Sequence, residues 1–465
     1  MNTSILRVIN PFTEKVEWEL PLLSEADIEP LVIRARNAFQ DWRRTPMEER
    51  IALCTRFADA FETMRETIAE QITQQMGKPL QQARNEVNTM LDRARQMTAI
   101  AKDVLADEYL PEKQGFVRFI RHEPLGVVLD IAAWNYPLLI AVNVVVPAVL
   151  AGNAVILKHS SRTPFCGQAF VDAFAAAGAP EFLVQAVIAD HRVTAALIQH
   201  PHVNAVSFTG SVQGGYEVSR AASQKFIPLT LELGGKDPAY VCADADFDFA
   251  VENTMDGAFY NAGQSCCAVE RIYVERSIYS RFLEAFVEKT RGYVLGDPME
   301  PTTTMGPLAS RHALDVLTEQ VKDALVRGGK LLLGPQDFAK PSRGWFFPPT
   351  VVADAPQDST LMQEESFGPV IGILPVANDE EAVRLMNDSR YGLTASIWTS
   401  DMERAIRIGA QIDTGTFYMN RCDYLDPLLP WTGVKESGRG VSLSKYGLLA
   451  LTRLKSMHLR VEIPR

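Results

Sequence analysis

The stretch Gly126-Val127-Val128-Leu129-Asp130-Ile131-Ala132-Ala133-Trp134-Asn135-Tyr136-Pro137 decides the fold. Val127 to Ile131 is a short, mostly apolar run, as a strand buried on both faces requires. Trp134-Asn135-Tyr136-Pro137 ends it, and a helical stretch follows from Leu138 to Leu150. Ala154-Val155-Ile156-Leu157-Lys158 reads as the next buried strand. Strand, helix, strand in this order builds a parallel sheet covered by helices. Ile131 to Leu157 carries no charge in 27 residues, long enough for a membrane span. Asn135, Pro137, Asn143, Pro147, Gly152 and Asn153 interrupt any continuous membrane helix, so the buried sheet unit is the preferred reading.

Working outward, the alternation continues. Pro164 to Ala177 is helical, Phe182-Leu183-Val184 starts a new segment, and Val203 to Phe208 is a strand ending in Thr209-Gly210-Ser211. It repeats from Glu232 to about Asn420, with strands at Arg271–Val274 and Val370–Leu374 and helices at Tyr279–Lys289, His312–Arg327 and Glu380–Met386. Upstream, residues 24 to 108 read as a helical scaffold. Ser24 with Asp27 forms an imperfect capping box, Ile28–Phe39 is amphipathic, Pro46 starts a helix running to Ile68, and Pro79 opens a third. Phe116–Arg121 and the tail, Thr452 to Ile463, alternate as exposed strands do.

A chain of 465 residues implies two or three domains. With 47% hydrophobic and 22% charged residues it is ordinary globular protein, not a disordered one. A net charge of -11 argues against a general nucleic-acid binder. The six cysteines include no CxxC and suit reduced thiols. Met1 to Glu14 lacks an export signal, so a cytoplasmic location without membrane attachment is expected.

Three local features bear on chemistry. Cys266 lies in Asn261-Ala262-Gly263-Gln264-Ser265-Cys266-Cys267, a polar, turn-forming stretch that would expose a thiol at a loop or helix start. A lone cysteine is more often a small buried hydrophobe. Glu232 sits between Leu231 and Leu233 just before Gly234-Gly235-Lys236, where desolvation would make it a better base near neutral pH. By itself it is more often a loop acid. Asn135 is polar in an uncharged run, so it either makes a structural hydrogen bond or aims its amide at an oxyanion.

Taken together, the motifs resemble those of the aldehyde dehydrogenase superfamily over essentially the whole chain. They occur in that family's order: Trp134-Asn135, Lys158 after its strand, Phe208-Thr209-Gly210-Ser211, Glu232-Leu233-Gly234-Gly235-Lys236, Gly263-Gln264-Ser265-Cys266 and Glu365-Ser366-Phe367-Gly368-Pro369. The resemblance implies an α/β fold of two Rossmann-like parallel-sheet domains plus a small β oligomerisation arm. Residues 1–107 and 125–233 would form the cofactor-binding domain and 234–436 the catalytic domain. Residues 108–124 and 450–465 would form the arm, and 437–449 would return to the cofactor domain.

The resemblance also assigns roles. Cys266 would attack the aldehyde carbon, Asn135 would hold the oxyanion, and Glu232 would activate the water that hydrolyses the thioester. NAD or NADP would be bound by Trp134, Lys158, Ser161, Thr209, Gly210, Ser211, Gly215, Glu365 and Phe367. NAD-specific members commonly carry glutamate where Ser161 stands. Serine removes that repulsion and Arg162 is close enough in sequence to help, so NADP is expected to be accepted. Ser442 replaces a glutamate thought to relay protons in many relatives. Tyr136, Ile140, Asn143, Tyr260, Ser265, Cys267, Asp423, Leu425 and Trp431 match the family's pocket positions. They suit a medium-sized aldehyde, aromatic or a semialdehyde.

Succinate-semialdehyde dehydrogenases tend to carry arginine where Tyr260 stands, which lowers that alternative unless Arg421 points inward. Asp423 would either attract a cationic aldehyde or cap its loop. The presence of Glu232 argues against a CoA-acylating enzyme, and the intact set argues against a catalytically silent structural protein. No metal is expected, and a homodimer or homotetramer is.

Overall fold

The computed structural model describes residues 4–339 and 341–463, so the outermost ends of the 1–107 and 450–465 segments lie outside the described residues. Two sheets dominate. The first has six strands in the order Gly438–Arg439, Leu229–Glu232, Val203–Thr209, Val127–Ile131, Ala154–Lys158 and Val184–Val187, parallel except for the edge pairing of Gly438–Arg439. The strand at Val127–Ile131 lies inside it, buried at all five positions, which is why it reads as mostly apolar; Asp130, its one polar residue, has a buried side chain without a hydrogen-bond partner among the described residues, and burial pushes its carboxyl well up. Helices Ile28–Trp42, Met47–Thr63, Leu80–Val104 and Pro137–Leu150 pack with it into one core.

The second sheet has seven strands in the order Lys330–Leu333, Thr350–Ala353, Val370–Val376, Val269–Glu275, Asp237–Val241, Thr394–Trp398 and Thr416–Met419. It is parallel apart from Lys330–Leu333 and has its own core. A third, antiparallel sheet joins Thr452–Arg460 to Phe116–Pro124 and then to Glu108–Tyr109. Thr452–Arg460 is mostly exposed, with Leu454 and Leu459 turned outward. This is the mixed α/β architecture with a β arm that the sequence implies.

Some local expectations need correction. The helix expected from Pro46 to Ile68 is two helices, Met47–Thr63 and Arg65–Met76, broken at Met64. Thr63 donates its hydroxyl back to the Ala60 carbonyl at 2.7 Å, a local bond that competes with helical continuity. Pro147, taken as a breaker, lies inside helix Pro137–Leu150. It costs one backbone hydrogen bond, and dense apolar packing around that helix offsets the loss. Among the described residues no helix is long and apolar enough to cross a membrane.

Candidate active site

The site lies between the two large sheets and is assembled from turns that follow strands. The strand Val127–Ile131 ends in the turn carrying Trp134, Asn135 and Tyr136, and helix Pro137–Leu150 begins there. Asn135 is buried, yet its side-chain amide has no protein partner among the described residues and opens on a cavity of ≈ 280 Å³. Its backbone carbonyl is held instead, by Lys78 Nζ at 2.8 Å and Asn261 Nδ2 at 3.2 Å.

Glu232 ends the strand Leu229–Glu232 and lines the same cavity. Thr209 donates its hydroxyl to Oε2 at 3.4 Å, while Oε1 has no partner among the described residues. Burial pushes this carboxyl above the usual range, opposed by the Ser442 hydroxyl, the Arg93 charge and Thr209. The chain then turns through Gly234 and Gly235. A Cβ on Gly235 would come within 2.7 Å of the Cys266 carbonyl, so glycine lets the two segments meet.

Cys266 is partly exposed and opens on the cavity. No helix begins there: it sits in a turn before strand Val269–Glu275, after Asn261, Ala262 and Gly263 in left-handed backbone. Such backbone strain in non-glycine residues persists only where the surroundings hold it. Asn261 Nδ2 bonds the Gln264 carbonyl at 3.1 Å, and Gln264 Oε1 accepts from Ala309 N–H at 2.9 Å. Asp423 clamps the far side, accepting from Ser265 Oγ at 2.7 Å and Cys267 Sγ at 3.0 Å. Asp423 therefore holds the nucleophile's turn, and burial raises its own carboxyl.

The nine residues expected at a substrate pocket, Tyr136 to Trp431, all line this cavity. Arg421 does not; its guanidinium is exposed and lies 3.4 Å over the Tyr424 ring. Arg93, on helix Leu80–Val104, lines the cavity although sequence reasoning passed over it. The available signal was its phase: Ala83, Val87, Met90, Ala94 and Met97 form a buried stripe, and Arg93 falls on it.

Beside the cavity lie the residues expected to hold a dinucleotide. Ser211 caps helix Val212–Ala222, accepting from Gly214 N–H at 3.1 Å, and Gly210 donates to the Glu232 carbonyl at 3.0 Å. A Cβ on Gly215 would press on Leu233 at 2.7 Å, and one on Gly234 would meet the Glu365 carboxylate. Glu365 accepts from Gly235 N–H at 3.1 Å; burial and the nearby Glu270 push it up to about 8. Phe367 lies edge-on to Trp134, ring centroids 5.5 Å apart. Lys158 ends its strand, its amine without a protein partner among the described residues and its basicity lowered by burial. Ser161 is exposed. Arg162 does not reach out to help it. Its guanidinium lies over Trp134 at 5.2 Å and donates to the Ala309 carbonyl.

A helix start with free N–H groups, a glycine-walled crevice, a lysine without a partner and a carboxylate with accepting capacity to spare suit a dinucleotide's phosphates and ribose hydroxyls. A partly exposed thiol facing an unpartnered amide and a buried carboxylate suits covalent carbonyl chemistry beside it.

Comparison with known proteins agrees. Residues 1–457 match the aldehyde dehydrogenase family. The chain is 35% identical over 455 residues to a succinate-semialdehyde dehydrogenase [NADP(+)] of Mycobacterium avium, covering 97% of this chain and 96% of that one. It resembles the crystal structure of an NAD-dependent aldehyde dehydrogenase from Sinorhizobium meliloti with a TM-score of 0.95 and 30% identity, covering 99% and 92% of the two chains. It also resembles a betaine aldehyde dehydrogenase from Staphylococcus aureus in complex with NAD+, with a TM-score of 0.93 and 29% identity, again covering 99% and 92%. By sequence, fold and the arrangement of its cleft, this chain belongs to the aldehyde dehydrogenase family.

Proposed function

We propose that the chain oxidises an aldehyde to the free carboxylic acid, with Cys266 as nucleophile, Asn135 as oxyanion donor and Glu232 as the base for hydrolysis. The observation that carries this reading is that all three side chains open on one cavity, with the Asn135 amide and Glu232 Oε1 left without partners among the described residues. Cys266 Sγ bonds the aldehyde carbon, and the Asn135 amide holds the oxygen as charge gathers on it. A nicotinamide dinucleotide, when bound, supplies the hydride acceptor. Lys158 and Glu365 would hold its two riboses, and the start of helix Val212–Ala222 its phosphates. The sulfur is then left in a thioester. Glu232 takes a proton from water as the water oxygen bonds the acyl carbon, and the C–S bond breaks. Desolvation favours this work, because a carboxylate raised toward neutrality is the stronger base.

Both NAD and NADP would be accepted. Ser161 offers no carboxylate to repel a 2′-phosphate, and Arg162, spent on Trp134 and Ala309, offers no added attraction. A semialdehyde substrate is favoured by the named activity of the Mycobacterium avium relative. Homo-oligomer formation through Thr452–Arg460 fits its exposed edge.

The test is a panel of aldehydes with each cofactor, following reduced-nicotinamide absorbance, with and without CoA. Turnover to the free acid without CoA, abolished in C266A, is expected. Parent-rate turnover by C266A, or a strict CoA requirement, would overturn the reading.

A further inference from the structure

Among the described residues four lysine or arginine side chains are buried: Lys78, Arg93, Lys236 and Arg271. Three are fully accounted for. Lys78 pairs with Glu86, and Lys236 pairs with Glu270 at 2.6 Å. Arg271 has no carboxylate but donates from Nε, Nη1 and Nη2 to backbone carbonyls at 2.8 to 3.4 Å and to Tyr273. Arg93 differs. Only its Nη1 is used, for the Leu139 carbonyl at 3.3 Å and Asn143 Oδ1 at 3.2 Å. Its Nε is buried with no partner among the described residues, and its remaining side lines the catalytic cavity. It is 4% exposed and makes no salt bridge among the described residues. A guanidinium offers five donors in a fixed plane and keeps its charge when buried. Burying one with most donors idle is costly unless an anion completes the site.

The acids around the cavity do not complete it. Glu86 is taken by Lys78. Asp423 Oδ1 is turned to Ser265 and Cys267. Among the described residues neither Glu232 nor Asp256, the latter raised to about 6 by burial, bonds to Arg93, and the Glu232 charge acts on it only through space. Asp423 and Glu232 are likewise pushed toward their neutral forms by burial.

We propose that Arg93 is the anchor for an anionic substrate group: the substrate is an aldehyde carrying a carboxylate a few carbons from the carbonyl, gripped by the guanidinium while the carbonyl carbon meets Cys266. This rests on the aldehyde-oxidising reading of the same site and supplies from helix Leu80–Val104 the cation that Tyr260 does not. With Nη1 taken and Nε buried, Nη2 is the donor left for a carboxylate, a charge-assisted hydrogen bond that makes Arg93 a specificity-determining residue.

The test compares 4-oxobutanoate with butanal, equal in chain length and differing in charge, on the full-length enzyme. The unmodified enzyme should prefer 4-oxobutanoate by tenfold or more in kcat/KM. In R93Q the preference for 4-oxobutanoate over butanal in kcat/KM should fall about tenfold to a hundredfold, the range of a charged hydrogen bond, because any effect of the lost charge on Glu232 acts on both substrates alike. R93K, which keeps the charge and loses the guanidinium's fixed plane of donors, should fall between. If R93Q does not fold, stronger competitive inhibition of the unmodified enzyme by butanedioate than by butanoate, which differ in the remote carboxylate, carries the same expectation. Equal losses on both substrates would mean that Arg93 serves Glu232 or Cys266 instead, and the proposal falls. It also falls if the unmodified enzyme prefers butanal. No turnover of either aldehyde would instead overturn the enzymatic reading itself.

Discussion

Two buried ion pairs stand under the cleft, one beneath each wall, and they do the same job for different turns. Under one wall, Lys78 and Glu86 bracket the turn that carries Asn135. Lys78 donates to the Asn135 carbonyl at 2.8 Å and lies 4.0 Å from the Tyr136 ring, while Glu86 accepts from Leu138 N–H at 2.9 Å. Under the other, Lys236 and Glu270 bracket the turn that carries Glu365 and Phe367. Glu270 accepts from Ser366 N–H at 2.8 Å and Phe367 N–H at 3.0 Å, while Lys236 donates to Ser366 Oγ at 2.9 Å. In each case the pair binds backbone that no helix or strand satisfies. Buried pairs add little net stability. Here they hold irregular turns, one for the oxyanion and one for the nucleotide.

The largest effect should come from breaking either pair on one side. K78M leaves Glu86 buried and uncompensated, and K236M does the same to Glu270. Each should lose about 3–5 kcal/mol in urea denaturation. Replacing both partners, as in K78M/E86L and K236M/E270L, should recover much of that stability. The two doubles should then part company: the first with depressed kcat, the second with a raised nucleotide KM. If both doubles show the same kinetic defect, the division of labour between the walls is wrong.

A single amide sharpens the contrast at smaller cost. Asn135→Ala removes the side-chain donor proposed to meet the oxyanion, and kcat should fall roughly 10²- to 10³-fold. The nucleotide KM should hold, because the other wall is untouched. A matching rise in that KM would show that the turns are coupled.

The sequence made some of this legible and hid the rest for physical reasons. The Val127–Ile131 strand was readable because burial on both faces demands mostly apolar residues, although Asp130 interrupts the run. Cys266, Glu232 and Asn135 were each ambiguous alone and were singled out by the ordered motifs of a family resemblance; the structure sets all three on one cavity. Arg93 and Glu86 were hidden because a charge on a helix reads as solvent-facing until its neighbours at three- and four-residue steps are seen to be buried. Lys236 pairs with Glu270 across 34 residues because their strands, Asp237–Val241 and Val269–Glu275, are adjacent in the sheet, and pairing order is not written locally. The use of Asp423 was ambiguous for a related reason. An acid in a loop looks the same in sequence whether it caps, attracts or clamps, and only the bonds to Ser265 and Cys267 decide it.

The smallest effect is a pH dependence confined to the nucleotide wall. Glu365 is pushed up to about 8 by burial and by Glu270. Below that value it is mostly protonated; above it the free carboxylate can accept hydrogen bonds from hydroxyls. A ligand that needs the acceptor should therefore bind more tightly as pH rises through 8, and the ionised fraction grows roughly tenfold between pH 7 and pH 9. Titrating NAD or NADP against the aldehyde-free enzyme by calorimetry should show affinity rising by up to about that factor. E365Q cannot ionise, so it should bind more weakly at high pH and lose the slope. Removing the Asn135 amide takes away no titrating group, so N135A should keep the parent slope in full. A slope that survives in E365Q would assign the titration to another group and remove this distinction between the walls.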